Sequence, residues 1–400
     1  MANPAPAPLR GAPLPSAGSA RLAVVPVDTK QQMQTFLRLP RRLYAGMPGF
    51  VPPLDLERRG LFHPRAAAFF AQGRARYFLA YRGDRAVGRI SAQIDPVTMK
   101  QWGEKIGLFG ALDAADDAEA VAALLEQAAG WLKAQGMVRA RGPYALAPNG
   151  EAGLLIEGEL ERTMLMSPWH PAYLGPLVEQ AGWNKIKDLL SYELAIGPEA
   201  ERALPVGRRR LMESEHGRGI TVRRLSKTHL ARDAAIMGQL YNDAWQDNWG
   251  FVPITEPDVA AMVKELKPMI RPEHLVLVER DGVPVGFALV LPNIYDIVGD
   301  LGGAPSPLGW ARLVTRLLRN RFVSGRVILL GIAASLRGTT LGAMMPSLII
   351  AELMRRGRDM PFRTVELGWI LEDNMRMRRL IERLSPRPNK VFRLYERRLA

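Results

Sequence analysis

The sequence predicts a mixed-sheet α/β fold, of the α+β kind, built twice along one chain. Three observations predict it. Alternating apolar runs flank a Gly83-Asp84 turn in the first half and an Asp281-Gly282 turn in the second, and each set reads as a β-hairpin. Around both hairpins the elements come in one order: strand, helix, hairpin, strand, helix, strand, short helix, strand. The 400 residues are 48% hydrophobic and 24% charged, which is globular composition and long enough for two domains. Two copies of one unit explain that length better than a single large sheet.

Residues 1–20 are rich in Pro, Ala, Ser and Gly and lack the apolar centre of a signal peptide, so they read as a disordered tail. The first unit spans 21–197. It opens with a strand at 21–27 and a helix at 29–39 that Pro40 should end. The hairpin pairs 76–81 with 85–95, and a short apolar run follows at 106–112. Asp113, Asp116 and Asp117 lead into a helix at 118–135, closed by Gly136. A strand at 138–141, a short helix at 171–181 and a strand at 183–194 complete the unit. Residues 198–219 carry Arg208-Arg209-Arg210 without an apolar period and read as a linker. The second unit, 220–400, restarts with a strand at 220–225 and a helix at 230–245. Its hairpin pairs 274–280 with 284–291. Then come a strand at 327–332, a helix at 341–356 closed by Gly357, a strand at 364–370, a helix at 374–384 and a last strand at 391–397.

There is no cysteine, which removes disulfides, thiolate metal sites and cysteine nucleophiles. The five histidines are scattered without metal-ligand spacing, so no metal is expected. Apolar runs at 327–336 and 343–354 are too short to span a bilayer. The expected location is the cytoplasm, with peripheral contact on the inner membrane. A net charge of +14 suits a solvated basic surface, an anionic membrane or a polyanionic cofactor. No aromatic residues interleave with the arginines in the manner of base-stacking platforms, so nucleic acid is not expected.

The chemistry centres on residues 327–342, a buried strand running into Arg337-Gly338-Thr339-Thr340-Leu341-Gly342 and then a helix. Glycines at such a turn let backbone N–H groups converge, and the helix N-terminus adds partial positive charge. The turn can therefore hold a pyrophosphate, with Arg337 as a charge partner. No Lys-Ser/Thr follows the second glycine, so it is not a Walker loop. Downstream, Glu372-Asp373-Asn374 again joins a strand to a helix. Two adjacent parallel strands that splay apart leave backbone amides between them, and a pantetheine arm can bond there as a false strand.

These residues resemble the GNAT acyltransferase superfamily. Arg337 to Gly342 matches its Arg/Gln-x-x-Gly-x-Gly/Ala turn, and Asn374 matches its helix-start asparagine. The resemblance covers 220–400 and implies acyl-CoA as cosubstrate, bound by Ile332, Arg337, Gly338, Thr339, Thr340, Leu341, Gly342 and Asn374. Thr340 replaces the usual first glycine. Ile381 stands where many members carry a tyrosine acid. The first half has Phe109-Gly110-Ala111-Leu112-Asp113 in place of the turn, so it is expected to be a copy degenerate in its phosphate loop. The whole chain also resembles a narrower tandem-GNAT bacterial group that includes bacterial ceramide synthases. Val51-Pro52-Pro53-Leu54, Arg58-Arg59-Gly60, Arg141-Gly142-Pro143, residues 148–155 and residues 182–189 carry that likeness.

Amide formation needs a neutral amine, a route for its proton and a polarised thioester. Glu366 is either the base beside the turn or a salt-bridged strand residue. Tyr395 is either an acid or a structural tyrosine. Glu151 either binds the acceptor amine across the domain interface or caps a loop. His170 and Tyr173 are further candidates. Residues 308–321 place Trp310, Leu313, Val314, Leu317 and Leu318 on one helix side and Arg312, Arg316 and Arg319 on the other, as in a helix lying on anionic lipid or one packed on its own core. The resemblance implies transfer from acyl-CoA to the amine of a lipid-like sphingoid base, in ceramide and sphingolipid synthesis. The alternatives are acetylation of a small polar amine or protein N-terminus, and acyl-CoA binding without catalysis.

Overall fold

The computed structural model describes residues 20–196, 217–267, 269–357 and 360–399. The expected tail lies outside the described residues apart from Ala20, and so does most of the expected linker.

The first half contains β1 (Leu22–Pro26), α1 (Lys30–Leu43), α2 (Asp55–Phe62), β2 (Arg74–Arg82), β3 (Arg85–Ile94), α3 (Pro96–Trp102), β4 (Ile106–Ala114), α4 (Ala118–Ala134), β5 (Arg139–Gly142), β6 (Leu154–Glu157), α5 (Leu174–Gln180) and β7 (Asn184–Ala195). The second contains β8 (Ile220–Arg223), α6 (Leu230–Trp245), α7 (Glu256–Leu266), β9 (Leu275–Arg280), β10 (Val283–Pro292), α8 (Tyr295–Val298), α9 (Pro307–Leu318), β11 (Ser324–Ile332), α10 (Thr340–Gly357), β12 (Thr364–Leu371), α11 (Met375–Ile381) and β13 (Lys390–Arg398). The mixed α/β class and the repeated order are both present.

The two units do not keep separate sheets. One sheet runs β1-β2-β3-β4-β5-β13-β7-β12-β11-β10-β9-β8, with β6 pairing β13 off that path. The last strand, β13, lies between β5 and β7 of the first half, antiparallel to both. In turn β7 pairs antiparallel with β12 of the second half. Each half thus lends a strand to the other. Among the described residues only β4·β5 and β11·β12 pair in parallel, and each pair is joined by a crossover helix, α4 or α10, as parallel strands require.

The core follows this exchange. Tyr192 of β7 and Val391 of β13 pack in the second half's core beside Met345, Leu348 and Ile349 of α10. Tyr395, from the same β13, packs with Leu124, Leu125 and Trp183 in the first half's core. Between them, Leu189, Phe392, Tyr144 and Leu155 form a smaller cluster edged by Trp102, Trp249 and Trp369.

Pro40 does not end α1, which continues to Leu43. A proline at 40 leaves the carbonyl of Phe36 without its helical donor. Arg89 Nη1 supplies one, 2.6 Å from that oxygen, so a buried side chain repairs the break.

Candidate active site

β11 and β12 are paired only where Ser324 to Val327 face Thr364 to Leu367. Beyond that point both strands continue without pairing to each other. An irregularity between Leu289 and Val290 leaves Ile328 as an extra residue in β11, and such bulges bend and twist a strand. The diverging stretch presents half-exposed Ile328, Leu329, Leu330 and Ile332. Trp245 of α6 donates its indole N–H to the Leu330 carbonyl at 3.2 Å.

β11 then enters the turn. Residues Ala334–Leu336 form one 3-10 turn, and Gly338 adopts φ +73, a left-handed conformation open to glycine at little cost. Thr339 Oγ1 accepts from the Gly342 N–H at 3.0 Å and so caps α10. A Cβ on Gly342 would lie 2.0 Å from the Leu336 carbonyl oxygen, so this position admits only glycine without a shift of backbone. The N–H groups of Gly338, Thr340 and Leu341 have no acceptor among the described residues. Unpaired donors at a helix N-terminus make an anion cradle. Asp243 fixes the turn by accepting from the Ala334 N–H at 2.6 Å.

The first half repeats the divergence and fills it. β4 and β5 pair only from Ile106 to Leu108. Loop 143–153 then folds into the gap. Tyr144 donates to the Phe109 carbonyl at 2.8 Å, and the Tyr144 carbonyl accepts from Gln93 Nε2 at 2.9 Å. A Cβ on Gly110 would fall 1.7 Å from that same carbonyl oxygen. At the start of α4 the side chain of Asp117 accepts from the Ala120 N–H, and Arg82 grips the carboxylate at 2.9 and 3.0 Å. The chain's own acidic group occupies the place of a phosphate.

No family model matches the chain. It is 34% identical over 386 residues to a bacterial ceramide synthase of Caulobacter vibrioides (strain NA1000 / CB15N), covering 95% of this chain and 98% of that protein. It is 32% identical over 378 residues to the protein YghO of Escherichia coli (strain K12), covering 92% and 94%. Its fold is similar to a tandem GNAT protein from the clavulanic acid biosynthesis pathway, at TM-score 0.56 and 13% identity over 95% of this chain and 99% of the other.

This chain belongs to the bacterial ceramide synthase family. Its architecture is that of two GNAT units in tandem.

Within this member of the ceramide synthase family, the residues singled out from sequence fall in five places. Ile332 and Gly338 to Gly342 lie together at the turn. Arg337 is beside them, but its guanidinium is turned to the end of α6. It pairs with Asp247 and donates to the carbonyls of Asp243 and Ala244 at 3.1 and 3.0 Å. Asn374 caps α11, its Oδ1 accepting from the Met377 N–H at 3.2 Å. Ile381 is buried in the core, so α11 brings no phenol to the cleft.

Glu366 lies fully buried on the paired part of β12. Lys390 Nζ of β13 sits 2.5 Å from its Oε2, and Arg326 Nε of β11 sits 3.3 Å from its Oε1. Arg326 also donates to the Leu165 carbonyl at 2.6 Å and stacks over Trp369, its charge disfavoured by burial. Directly opposite on β7, the Glu193 carboxyl is pushed up, first by burial. The sequence offered a salt bridge for Glu366 but no sign of its partners, because the members of this knot come from four strands far apart in the chain.

Tyr395 sits in the first half's core, where its hydroxyl meets Glu179 Oε1 at 3.1 Å. The structure does not bring it to the turn. Tyr173 donates to the Ala114 carbonyl at 2.8 Å. Glu151 is half-buried and held by both Arg58 Nη atoms at 2.8 and 2.5 Å, and His170 lies nearby in the same cavity wall. Sequence reading missed Tyr241. Its ring stacks on Trp245 with centroids 5.4 Å apart, and its hydroxyl donates to Asn149 Oδ1 at 3.2 Å, across the two halves. The paired aromatics of α6, four residues apart, were the available signal.

Proposed function

We propose that the protein transfers an acyl group from acyl-CoA to the primary amine of a sphingoid long-chain base, forming the amide of a ceramide-type lipid. The observation that carries this reading is the open divergence of β11 and β12 above a turn with three uncommitted N–H groups. The diphosphate of CoA suits those donors, with Ile332, the turn residues Arg337 to Gly342 and Asn374 as its surroundings. The pantetheine amides suit the unpaired edges of the two strands. The name of the Caulobacter relative supplies the acceptor class.

The amine attacks the thioester carbonyl directly, the tetrahedral intermediate collapses as the nitrogen gives up a proton, and CoA leaves as the thiol once its sulfur has taken one up, so no covalent enzyme intermediate is needed. With isoleucine at 381, the hydroxyl of Tyr241 on the α6 wall is the candidate to protonate the thiolate. Burial raises its pKa, so it stays protonated, and it can pass its proton to the thiolate only as it takes up the one that the amine nitrogen loses. Glu366 acts as the counter-ion of Lys390 and Arg326 beneath the cleft; as a base it would first have to leave both.

A lipid acceptor also suits α9. Leu313 is buried and Leu317 half-buried against the core, while Leu308, Trp310, Val314 and Leu318 are exposed. Arg316 is tied to Asp300, whose charge Arg312 also feels, and Arg312, Arg319 and Arg321 form no ion pair at contact distance among the described residues. An exposed apolar stripe flanked by arginines fits an anionic bilayer surface. No helix among the described residues is long and apolar enough to cross a membrane.

Purified protein incubated with long-chain acyl-CoA and sphinganine should yield the N-acyl product by mass spectrometry. Product only with small polar amines or peptide N-termini would favour the acetyltransferase alternative. Acyl-CoA binding with no product from any amine would leave a binding protein and end the enzyme reading. Flotation with phosphatidylglycerol vesicles should fail when Arg312, Arg319 and Arg321 are changed to Glu; unchanged flotation would reject the membrane role of α9.

A further inference from the structure

A second cavity, about 80 Å³ in volume, lies where α2, loop 143–153 and residues 163–170 meet, and Tyr295 of α8 closes it from the second half. Its floor is charged although it is buried. Arg58 binds Glu151, and Arg89 binds Asp113 through Nε and Nη2, both 2.8 Å from Oδ2. Asp113 Oδ1 accepts from no group among the described residues. His170 Nδ1 accepts from the Leu155 N–H at 3.1 Å, which places the proton of the neutral ring on Nε2. Burial lowers the His170 pKa, so the ring is neutral near pH 7. That Nε2–H has no acceptor among the described residues, although the side chain is only 6% exposed. The walls are apolar, and Phe50, Val51 and Trp169 stand half-exposed.

This set of groups selects its ligand. A simple anion would meet Asp113 and Glu151, and a simple cation would meet Arg58 and Arg89. A molecule carrying both an ammonium and a hydroxyl satisfies the floor. Its ammonium donates to Asp113 Oδ1, and its hydroxyl oxygen accepts from His170 Nε2–H. At this size the cavity admits a small polar head group and not an aliphatic chain. The half-exposed apolar residues suit the first methylenes of an aliphatic tail. A chain of contacts links the chamber wall to the acyl-CoA cleft. Asn149, two residues before Glu151, bonds Tyr241, and Tyr241 stacks on Trp245 at the edge of the cleft.

We infer that this chamber recognises the amino-alcohol head of the acceptor, with Asp113 and His170 as its reading groups; the inference rests on the acyltransferase reading for the word acceptor, though not for the binding itself. The probe is 2-amino-1,3-propanediol, titrated into the full chain and followed by ligand-observed NMR, with 1,3-propanediol as the control without an amine. The amine should bind and the diol should not. His170→Asn keeps an acceptor for the Leu155 N–H and withdraws the donor from the Nε2 position, which the shorter amide does not reach. It should weaken binding about tenfold, as loss of one buried hydrogen bond implies, while acyl-CoA affinity is unchanged. Asp113→Asn should weaken it at least as much; because Arg89 depends on Asp113, thermal melting must first show that variant folded, and His170→Asn carries the test if it is not. Equal binding of the diol, unchanged binding in His170→Asn, or no binding by a protein that still takes acyl-CoA would overturn the inference. Amino-alcohol binding by a protein that takes no acyl-CoA would uphold the chamber and defeat the acyltransferase reading.

Discussion

The two halves begin with the same device and end with opposite uses of it. In each, a short parallel pair opens after three or four residues, below the start of a crossover helix. In the first half the gap holds loop 143–153 and the helix start holds Asp117. In the second half the gap is open and the helix start keeps unbonded N–H groups. A fold therefore offers a ligand site only where the chain has not already supplied the ligand's groups itself. The filled half gains a rigid wall, which is where the charged chamber lies.

The largest effect expected on this comparison concerns the seam between the halves. Glu366→Gln leaves Lys390 and Arg326 buried without a counter-charge, which should cost about 3–5 kcal/mol of stability. Chemical denaturation should show the loss, and Lys390→Met in the same chain should restore part of it; an unchanged midpoint for Glu366→Gln would mean the knot is not holding β12 to β13. Next, Gly342→Val forces the turn off the Leu336 carbonyl and should weaken acyl-CoA binding on the order of 100-fold, about 3 kcal/mol. Gly110→Val, its counterpart in the filled gap, should lower thermal stability and leave acyl-CoA affinity near that of the native chain by calorimetry. Similar losses of affinity in both would erase the distinction between the halves.

Acid should weaken the second half through His274, whose pKa burial lowers from 6.5 to about 4. The unfolded chain takes up a proton near 6.5 and the folded one resists until about 4. Stability from this group is therefore complete above pH 6.5 and declines as pH falls toward 4, by about 3 kcal/mol in all. Burial also lowers His170 in the first half, so the comparison needs one substitution: His274→Asn should flatten the slope of the unfolding midpoint across that window. The smallest effect is Asp117→Ala, which removes a first-half helix cap. It should cost about 1 kcal/mol and leave acyl-CoA binding alone; a change in affinity would show that the first half takes part in cofactor binding.

Local signals were legible in the sequence. Asp-Gly and Gly-Asp turns located both hairpins, and the glycine spacing located the turn because Gly338 needs positive φ and Gly342 needs space beside Leu336. Contacts between distant segments were not. Nothing near Pro40 signals that Arg89 will satisfy Phe36, and nothing near Glu366 signals Lys390. Arg337 matched a motif position, yet its direction depends on Asp247 and the carbonyl end of α6. The destination of β13 was equally hidden, since an amphipathic strand fits either sheet and pairing is decided by the neighbours it meets.

That destination governs the order of events during synthesis. A ribosome builds the first half long before β13, and domains commonly fold as they emerge. Here the place between β5 and β7 stays vacant until residues 390–398 have been made. The nascent first half must wait with two unsatisfied strand edges, exposed to any strand that reaches them first. A cut made between the halves in the mature protein would therefore give two fragments that remain clasped, each holding a strand the other needs.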